Sequence, residues 1–326
     1  MNQLVSIIIP VYNAEPFVSR AIDSCLNQSF KGFELILVND GSKDNSLPII
    51  REYAHRDKRV KVANIPNSGV VKAREYGASV AEGEFLLFMD ADDYLPEGVL
   101  QTLVNAIKPD VDMVIGDINQ IEVDGSSSII KYGNSGSCIG KAHFDWIVRH
   151  HIGFLWGKLI RRSLLDQIKV MPYGIKFCED YLQMIQLSYF ARKVVHVDTI
   201  TYNYIQHDES ACNKALTVPE YSQRFADLCM QIHAIIVKCG FDSECVLKLK
   251  VLYLYYCRIY LCSKGRWGIN KQLKSCFRTF MKDCMVRRYF MSIDRRHYYM
   301  TQFVSWAYPV VSILYKRQLK KYGRIV

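Results

Sequence analysis

Short apolar runs alternate with stretches of helical periodicity through the first hundred residues. Leu4 to Ile9, Phe33 to Val38, Val60 to Ile65 and Phe85 to Met89 are strand-length segments dominated by apolar residues. Runs of that kind are expected of strands covered on both faces. Between them, Phe17–Leu26, Asn45–Tyr53 (opened by Asp44) and Val70–Val80 place apolar residues at helical spacing. The order strand–helix repeated, ending on a fourth strand, implies right-handed crossovers. It predicts an α/β fold with a Rossmann-like, mainly parallel sheet and helices on both faces.

The pattern then loosens. Asp112–Ile115 and Ile118–Val123 read as strands, with a turn at Asp124-Gly125-Ser126 before Ile129-Ile130. Residues 133–140 read as a small-residue loop. Trp156 to Leu159 introduces a helix near Ser163, and Cys178-Glu179-Asp180 opens another from Tyr181 to Phe190. Val194–Val197 and Tyr202–Ile205 read as short strands. Beyond Thr217 the chain reads as helical, so a boundary is expected near residue 215. Residues 1–215 then form the site-bearing domain and residues 216–326 a C-terminal helical region.

Charge sharpens that division. The formal net charge is +10, but from Lys264 onward 15 Lys and Arg face two acids. The basicity therefore belongs to the tail. Phe303–Leu314 is a 12-residue apolar run followed by Lys316-Arg317 and Lys320-Lys321. It is too short to span a bilayer, which needs about 20 residues. A basic segment beside an apolar one suits an anionic membrane surface, and a solvated helical face is the equal alternative. No nucleic-acid module is recognisable, so no nucleic-acid partner is expected. The 11 cysteines are odd in number, form no Cys-x-x-Cys pair and sit mostly in apolar stretches. That is the pattern of reduced, buried thiols. With no basic leader segment before the first strand, a cytoplasmic protein is expected, peripheral on the inner membrane face if the tail docks.

The chemistry concentrates at strand ends. Each of the first four strands stops at a polar, backbone-permissive cluster: Pro10-Val11-Tyr12-Asn13, Asn39-Asp40-Gly41-Ser42, Asn67-Ser68-Gly69 and Asp90-Ala91-Asp92-Asp93. Parallel strands bring those ends to one edge, where open α/β sheets bind ligands. Three carboxylates in the last cluster repel unless a cation or hydrogen-bonding ligand is shared among them. Hard oxygen ligands suit Mg²⁺ or Mn²⁺ with a substrate diphosphate. A helix cap by Asp92 or Asp93 is the alternative. A dinucleotide would need a glycine fingerprint at the first turn, yet the first glycine is Gly32, and no P-loop occurs. Lys72 and Arg74 offer further positive charge to a diphosphate.

These residues resemble the signature of family 2 glycosyltransferases with the GT-A fold. The resemblance is dense over residues 3–100 and thinner to about 215. It implies that Tyr12 and Asp40 contact the base of a nucleoside diphosphate, that Asp90 approaches the ribose and that Asp92 ligates a bridging Mn²⁺ or Mg²⁺. Pro10, Val11, Asn13, Gly41, Ser42, Asn67, Gly69, Lys72, Arg74 and Ala91 complete the nucleotide-sugar contour. Arg74 fills the family's Ala-Arg position, while Glu75 replaces the usual Asn. Cys178-Glu179-Asp180-Tyr181 resembles the Glu-Asp pair whose Asp is the base of an inverting transfer, so Asp180 is the expected base with Glu179 beside it. An N-cap role for Asp180 is the alternative. His207 follows Tyr202-Asn203-Tyr204-Ile205-Gln206, with Ile205 where Arg is common; it is a candidate metal or phosphate ligand, or a surface residue. Trp156, in a Trp-x-Lys-Leu sequence, is a sugar-stacking face or a core ring. The implied partners are a nucleotide-sugar donor, UDP-linked by expectation, and a saccharide acceptor of surface-polysaccharide synthesis, lipid-linked if the tail docks. The rival readings are a sugar nucleotidyltransferase, which should carry a Gly-rich basic loop after the first strand, and a silent nucleotide-sugar-binding protein docked at a membrane.

Overall fold

A computed structural model describes residues 5–132, 136–175, 177–207, 217–264 and 270–302. The chain forms two compact units: Met1–Gly174 with Gln183–Asp208, and Ile175–Leu182 with Glu209–Val326. The expected Rossmann-like α/β arrangement is present. In the first unit the order is β1 (Val5–Val11), α1 (Val18–Leu26), β2 (Phe33–Asp40), α2 (Ser46–Arg56), β3 (Val60–Ile65), α3 (Val70–Val80) and β4 (Phe85–Phe88). Then come α4 (Val99–Asn105), β5 (Met113–Ile121), β6 (Ser127–Ile130), β7 (Gly136–Cys138), α5 (Gly140–His150) and β8 (Leu159–Arg161). A six-residue 3₁₀ helix (Arg162–Gln167), α6 (Glu179–Phe190), whose residues up to Leu182 belong to the second unit, and β9 (Val194–Ile205) follow.

The described strands join one nine-stranded sheet in the order β3-β2-β1-β4-β8-β5-β9-β7, with β6 on β5. β1 to β4 pair in parallel, as the alternating pattern requires. β1 and β2 are buried almost throughout, which explains their apolar character, and the polar residues Ser6 and Glu34 within them are buried as a hydrogen-bonded pair. α3 lies close against β1 because Gly77 has no side chain; a Cβ there would stand 2.5 Å from Ile8 Cγ2. That close approach sets the height of α3 over the sheet.

The later elements depart from the sequence pattern. The two strands expected over 112–123 are one strand, β5, whose register against β9 shifts at Asp117. A bulge of this kind reads in sequence as a break. The two short strands expected at 194–205 are likewise the single β9. β8 is three residues long and antiparallel to both β4 and β5, and the helix expected near Ser163 is a six-residue 3₁₀ helix. α5 follows the small-residue loop, its buried side including His143, Phe144, Ile147 and Val148. A histidine on the buried face obscured that periodicity.

The second unit, taken by itself, is helical: α7 (Val218–Lys238), α8 (Ser243–Lys264), α9 (Lys271–Lys282), α10 (Cys284–Ile293) and a helical stretch over 295–302. α7 opens with a capping box between Thr217 and Glu220, each satisfying the other's backbone N–H. Leu228, Cys229, Ile232, Leu249, Tyr253 and Phe277 are buried here. No helix among the described residues is long and apolar enough to cross a membrane. The apolar run Phe303–Leu314 lies outside the described residues.

His143 supplies a test of the first unit's packing. It is buried, its Nδ1 lies 3.0 Å from Ser188 Oγ, and burial followed by the charge of Lys158 pushes its pKa down to about 3. The unfolded chain therefore takes up a proton near pH 6.5 that the folded chain refuses, and stability falls as pH drops below that value. Relative to His143→Gln, the wild-type urea midpoint should decline progressively from about pH 6.5 toward pH 4. A constant difference between the two proteins across that range would show that His143 does not carry the effect.

Candidate functional site

The parallel order of β1–β4 brings the four polar clusters to one sheet edge. Pro10 and Val11 are strand residues, paired with Val38 and Asn39. The loop after β1 is tied to the loop after β2. The Asn13 N–H donates to Ser42 Oγ (3.1 Å), and the Lys43 N–H donates to Asn13 Oδ1 (2.8 Å). Asn13 holds the left-handed conformation at φ 49°, which Asn tolerates better than most residues. Tyr12 stands 49% exposed at the rim.

Asp40 is buried and accepts from the backbone N–H groups of Ser68 (2.7 Å) and Gly69 (2.9 Å). Both groups lie at the start of α3. The carboxylate that the family resemblance assigns to a base therefore also shapes the β3–α3 turn. The Asn67 side-chain amide donates to the Asp40 carbonyl at 3.0 Å. Gly41 sits at φ 70°, and a Cβ there would lie 2.8 Å from the Asn67 nitrogen, so glycine is required where the two loops cross.

The acidic loop after β4 is held from both sides. Arg74 is 4% exposed and donates to Asp90 Oδ1 at 2.7 Å. From the far side comes β9. The Asp90 N–H donates to the Tyr202 hydroxyl (2.9 Å), that hydroxyl donates to Asp93 Oδ2 (2.8 Å), and the Ile205 N–H donates to Asp93 Oδ1 (2.8 Å). Asp93 is thus the anchor of the loop. Asp92 keeps its carboxylate toward His207, whose Nε2 lies 2.9 Å from Asp92 Oδ2 and whose ring stacks on Phe17 at 4.9 Å. Ala91 between them is buried.

Burial, then the charges of Asp92 and Asp90, hold Asp93 well above the usual carboxylate range. Burial, then the charge of Asp90, also raises Asp92, against the opposing hydrogen bond from His207. Among the described residues no group of three or more metal-ligating side chains occurs. One carboxylate and one imidazole are on offer, and the carboxylate is the kind of ligand that Mg²⁺ or Mn²⁺ takes beside a diphosphate. The residues fit Mg²⁺ or Mn²⁺.

Tyr202 was not singled out from the sequence. Its signal was the alternation of Tyr202 and Tyr204 along one strand just before His207. Trp156 takes the core geometry of its two readings. It is 4% exposed and stacks on Phe154 (4.4 Å, 15°) and Tyr202 (4.4 Å, 21°), so its ring buttresses Tyr202. Lys72 is exposed on α3, its ammonium 5.8 Å from the ring centre of Tyr173, and the Tyr173 hydroxyl donates to Glu75 at 2.6 Å. A cleft of about 530 Å³ opens beside Arg74 and Glu75, with Phe88, Arg162 and Gln183 in its lining. Glu179 and Asp180 occupy the first turn of α6, in the part of that helix that belongs to the second unit; the acidic loop belongs to the first.

Comparison with known proteins finds likeness in sequence and in fold. The model of "Glycosyl transferase family 2" matches residues 6–169. The uncharacterized glycosyltransferase EpsJ of Bacillus subtilis is 33% identical over 219 residues, 64% of this chain and 63% of EpsJ. The chain thus spans a little under two thirds of that relative's length. Among solved structures, TarS 1-349 of S. aureus in complex with UDP-GlcNAc superposes with a TM-score of 0.66 at 18% identity, covering 97% of this chain and 92% of TarS 1-349. The mannosyltransferase PcManGT of Pyrobaculum calidifontis, in complex with GDP-Man and Mn²⁺, gives 0.52 at 14% identity over 93% of this chain and 87% of PcManGT. At those identities the likeness shows the fold.

Two tests follow from the loop. A raised Asp92 pKa means that its proton stabilises the folded state at low pH and is lost as pH rises above the ordinary value of 3.8. At pH 7 and without divalent ions, Asp92→Asn should therefore melt roughly 1–2 °C above wild type, a shift kept small by the solvent around Asp92. A fall in melting temperature would contradict the electrostatic account. Tyr202→Phe removes the hydroxyl between the Asp90 N–H and the Asp93 carboxylate, both of which lose a buried partner. Urea unfolding should show a loss of about 1–3 kcal/mol; an unchanged midpoint would mean that the hydroxyl does not hold the loop.

Proposed function

Because the chain belongs to glycosyl transferase family 2, we propose that it transfers a sugar from a UDP-sugar to a saccharide acceptor of surface-polysaccharide synthesis, inverting the anomeric carbon. The observation that carries the donor half is the meeting of Asp40, Arg74, Asp90, Asp92 and His207 at the carboxyl edge of β1–β4. The UDP-GlcNAc in TarS and the GDP-Man with Mn²⁺ in PcManGT support a nucleotide-sugar on this fold.

In this reading Tyr12 lies along the base and Asp90 meets the ribose. Asp92 and His207 hold Mn²⁺ or Mg²⁺, which when bound would offset the charge that develops on the departing diphosphate. Arg74, already paired with Asp90, adds positive charge on the α3 side. Asp180 takes the proton of the acceptor hydroxyl as its oxygen attacks the anomeric carbon from the face opposite the diphosphate. One displacement of that kind inverts the centre. Glu179, about 100° away on the helix, positions the acceptor. The acceptor is lipid-linked in this reading, and the basic C-terminal region meets a membrane surface.

Calorimetry with UDP separates the parts. Binding should require Mn²⁺, vanish in EDTA and vanish in Asp92→Ala. Binding of equal strength in EDTA would remove the metal from the proposal. Asp180→Asn should retain UDP binding and lose transfer by about 10²–10⁴-fold. Full transfer by that variant would assign the base elsewhere.

A further inference from the structure

α9 carries Lys271, Lys274, Arg278 and Lys282 at intervals of three and four, a spacing that sets all four on one face. Its buried side is Leu273, Phe277 and Phe280. Ser275 and Thr279 stand between the cations, and these six side chains line a shallow groove of about 400 Å³. α9 contains no acid. The acids that follow are engaged locally: Asp283 caps α10 and pairs with Lys250 at 3.0 Å, and Asp294 pairs with His297. Among the described residues Lys271, Arg278 and Lys282 form no ion pair. Further along, Arg287, Arg288, Arg295 and Arg296 are exposed, as are Met285, Ile293, Tyr299 and Met300 at 53–57%.

We propose that this face of α9 docks on the phosphate headgroups of an anionic lipid bilayer. Ammonium, guanidinium and hydroxyl donors alternating along one helix match a field of phosphate oxygens. The groove is one-sided and built by a single helix, which suits a plane of headgroups better than the enclosure of one free anion. A single-stranded nucleic acid would be met by aromatic rings among the cations, and the six lining residues include none. Arginines beside exposed Met, Ile and Tyr on the next helices make the basic and apolar mixture that seats in a headgroup layer. The inference deepens the reading that the tail meets a membrane, and it is independent of the transfer chemistry.

Flotation of the full chain with vesicles decides it. Phosphatidylcholine vesicles containing phosphatidylglycerol should carry the protein up the gradient, pure phosphatidylcholine should not, and added salt should release it. Each cation near an anionic leaflet contributes about fivefold. Lys271→Glu, Arg278→Glu and Lys282→Glu together should therefore weaken binding by at least ~100-fold, and the matching Gln variant should weaken it less but in the same direction. Arg51→Glu, Lys58→Glu and Lys108→Glu, exposed in the first unit, should leave flotation near wild type. Far-UV circular dichroism and the melting temperature of each variant report whether the fold survives, and UDP calorimetry on the wild type tests the donor reading separately. Vesicle binding without any UDP binding would sink the donor reading and leave this one standing. Equal flotation on neutral vesicles, flotation of the α9 variants like wild type, or capture by a single-stranded oligonucleotide without anionic-vesicle binding would overturn the proposal.

Discussion

Three carboxylates lie within four residues of backbone at the end of β4, and their mutual repulsion is the constraint around which the first unit is arranged. Like charges at that spacing come apart unless other groups hold them. The fold supplies a buried guanidinium from α3, a phenol and a backbone N–H from β9, and an imidazole just past β9. These holders come from segments more than a hundred residues apart in part, so the loop exists only when the whole sheet is assembled. β5 and β9, paired over their length, carry the phenol to its place.

The same residue type does two kinds of work at this edge. Asp40 and Asp93 spend their oxygens on backbone N–H groups or a buried hydroxyl, and so build loops. Asp92 is met by one imidazole and retains access to solvent. A carboxylate that is already saturated organises; one that is held by a single neighbour is available to an incoming ion. This difference, more than the count of acids, distinguishes the site from a set of turns.

The legible part of the fold was its first hundred residues, because both the strands and the helices there are long enough to show their period and are separated by short polar clusters. The four clusters named their own meeting point once the strands were parallel. What the pattern hid was short or irregular: a three-residue strand running against its neighbours, a helix whose buried face includes His143, and a bulge at Asp117 that made one strand look like two. Within the site, the sequence grouped Asp90, Asp92 and Asp93, and the family resemblance marked Asp92 as the expected metal ligand, but nothing in the pattern identified Asp93 as the anchor of the loop, since that depends on Tyr202 and Ile205 arriving from 109–112 residues away. Trp156 was balanced between a sugar-stacking face and a core ring for the same reason: stacking partners are not visible in a linear pattern.

The aromatic stack has an optical consequence. Trp156 lies flat against Tyr202, and the Tyr202 hydroxyl touches both Asp90 and Asp93. An indole in that position is shielded from water yet one ring away from the charges of the acidic loop. Its emission is therefore coupled to the electric field at the loop, and the protein carries a built-in fluorescent gauge of whatever neutralises those carboxylates.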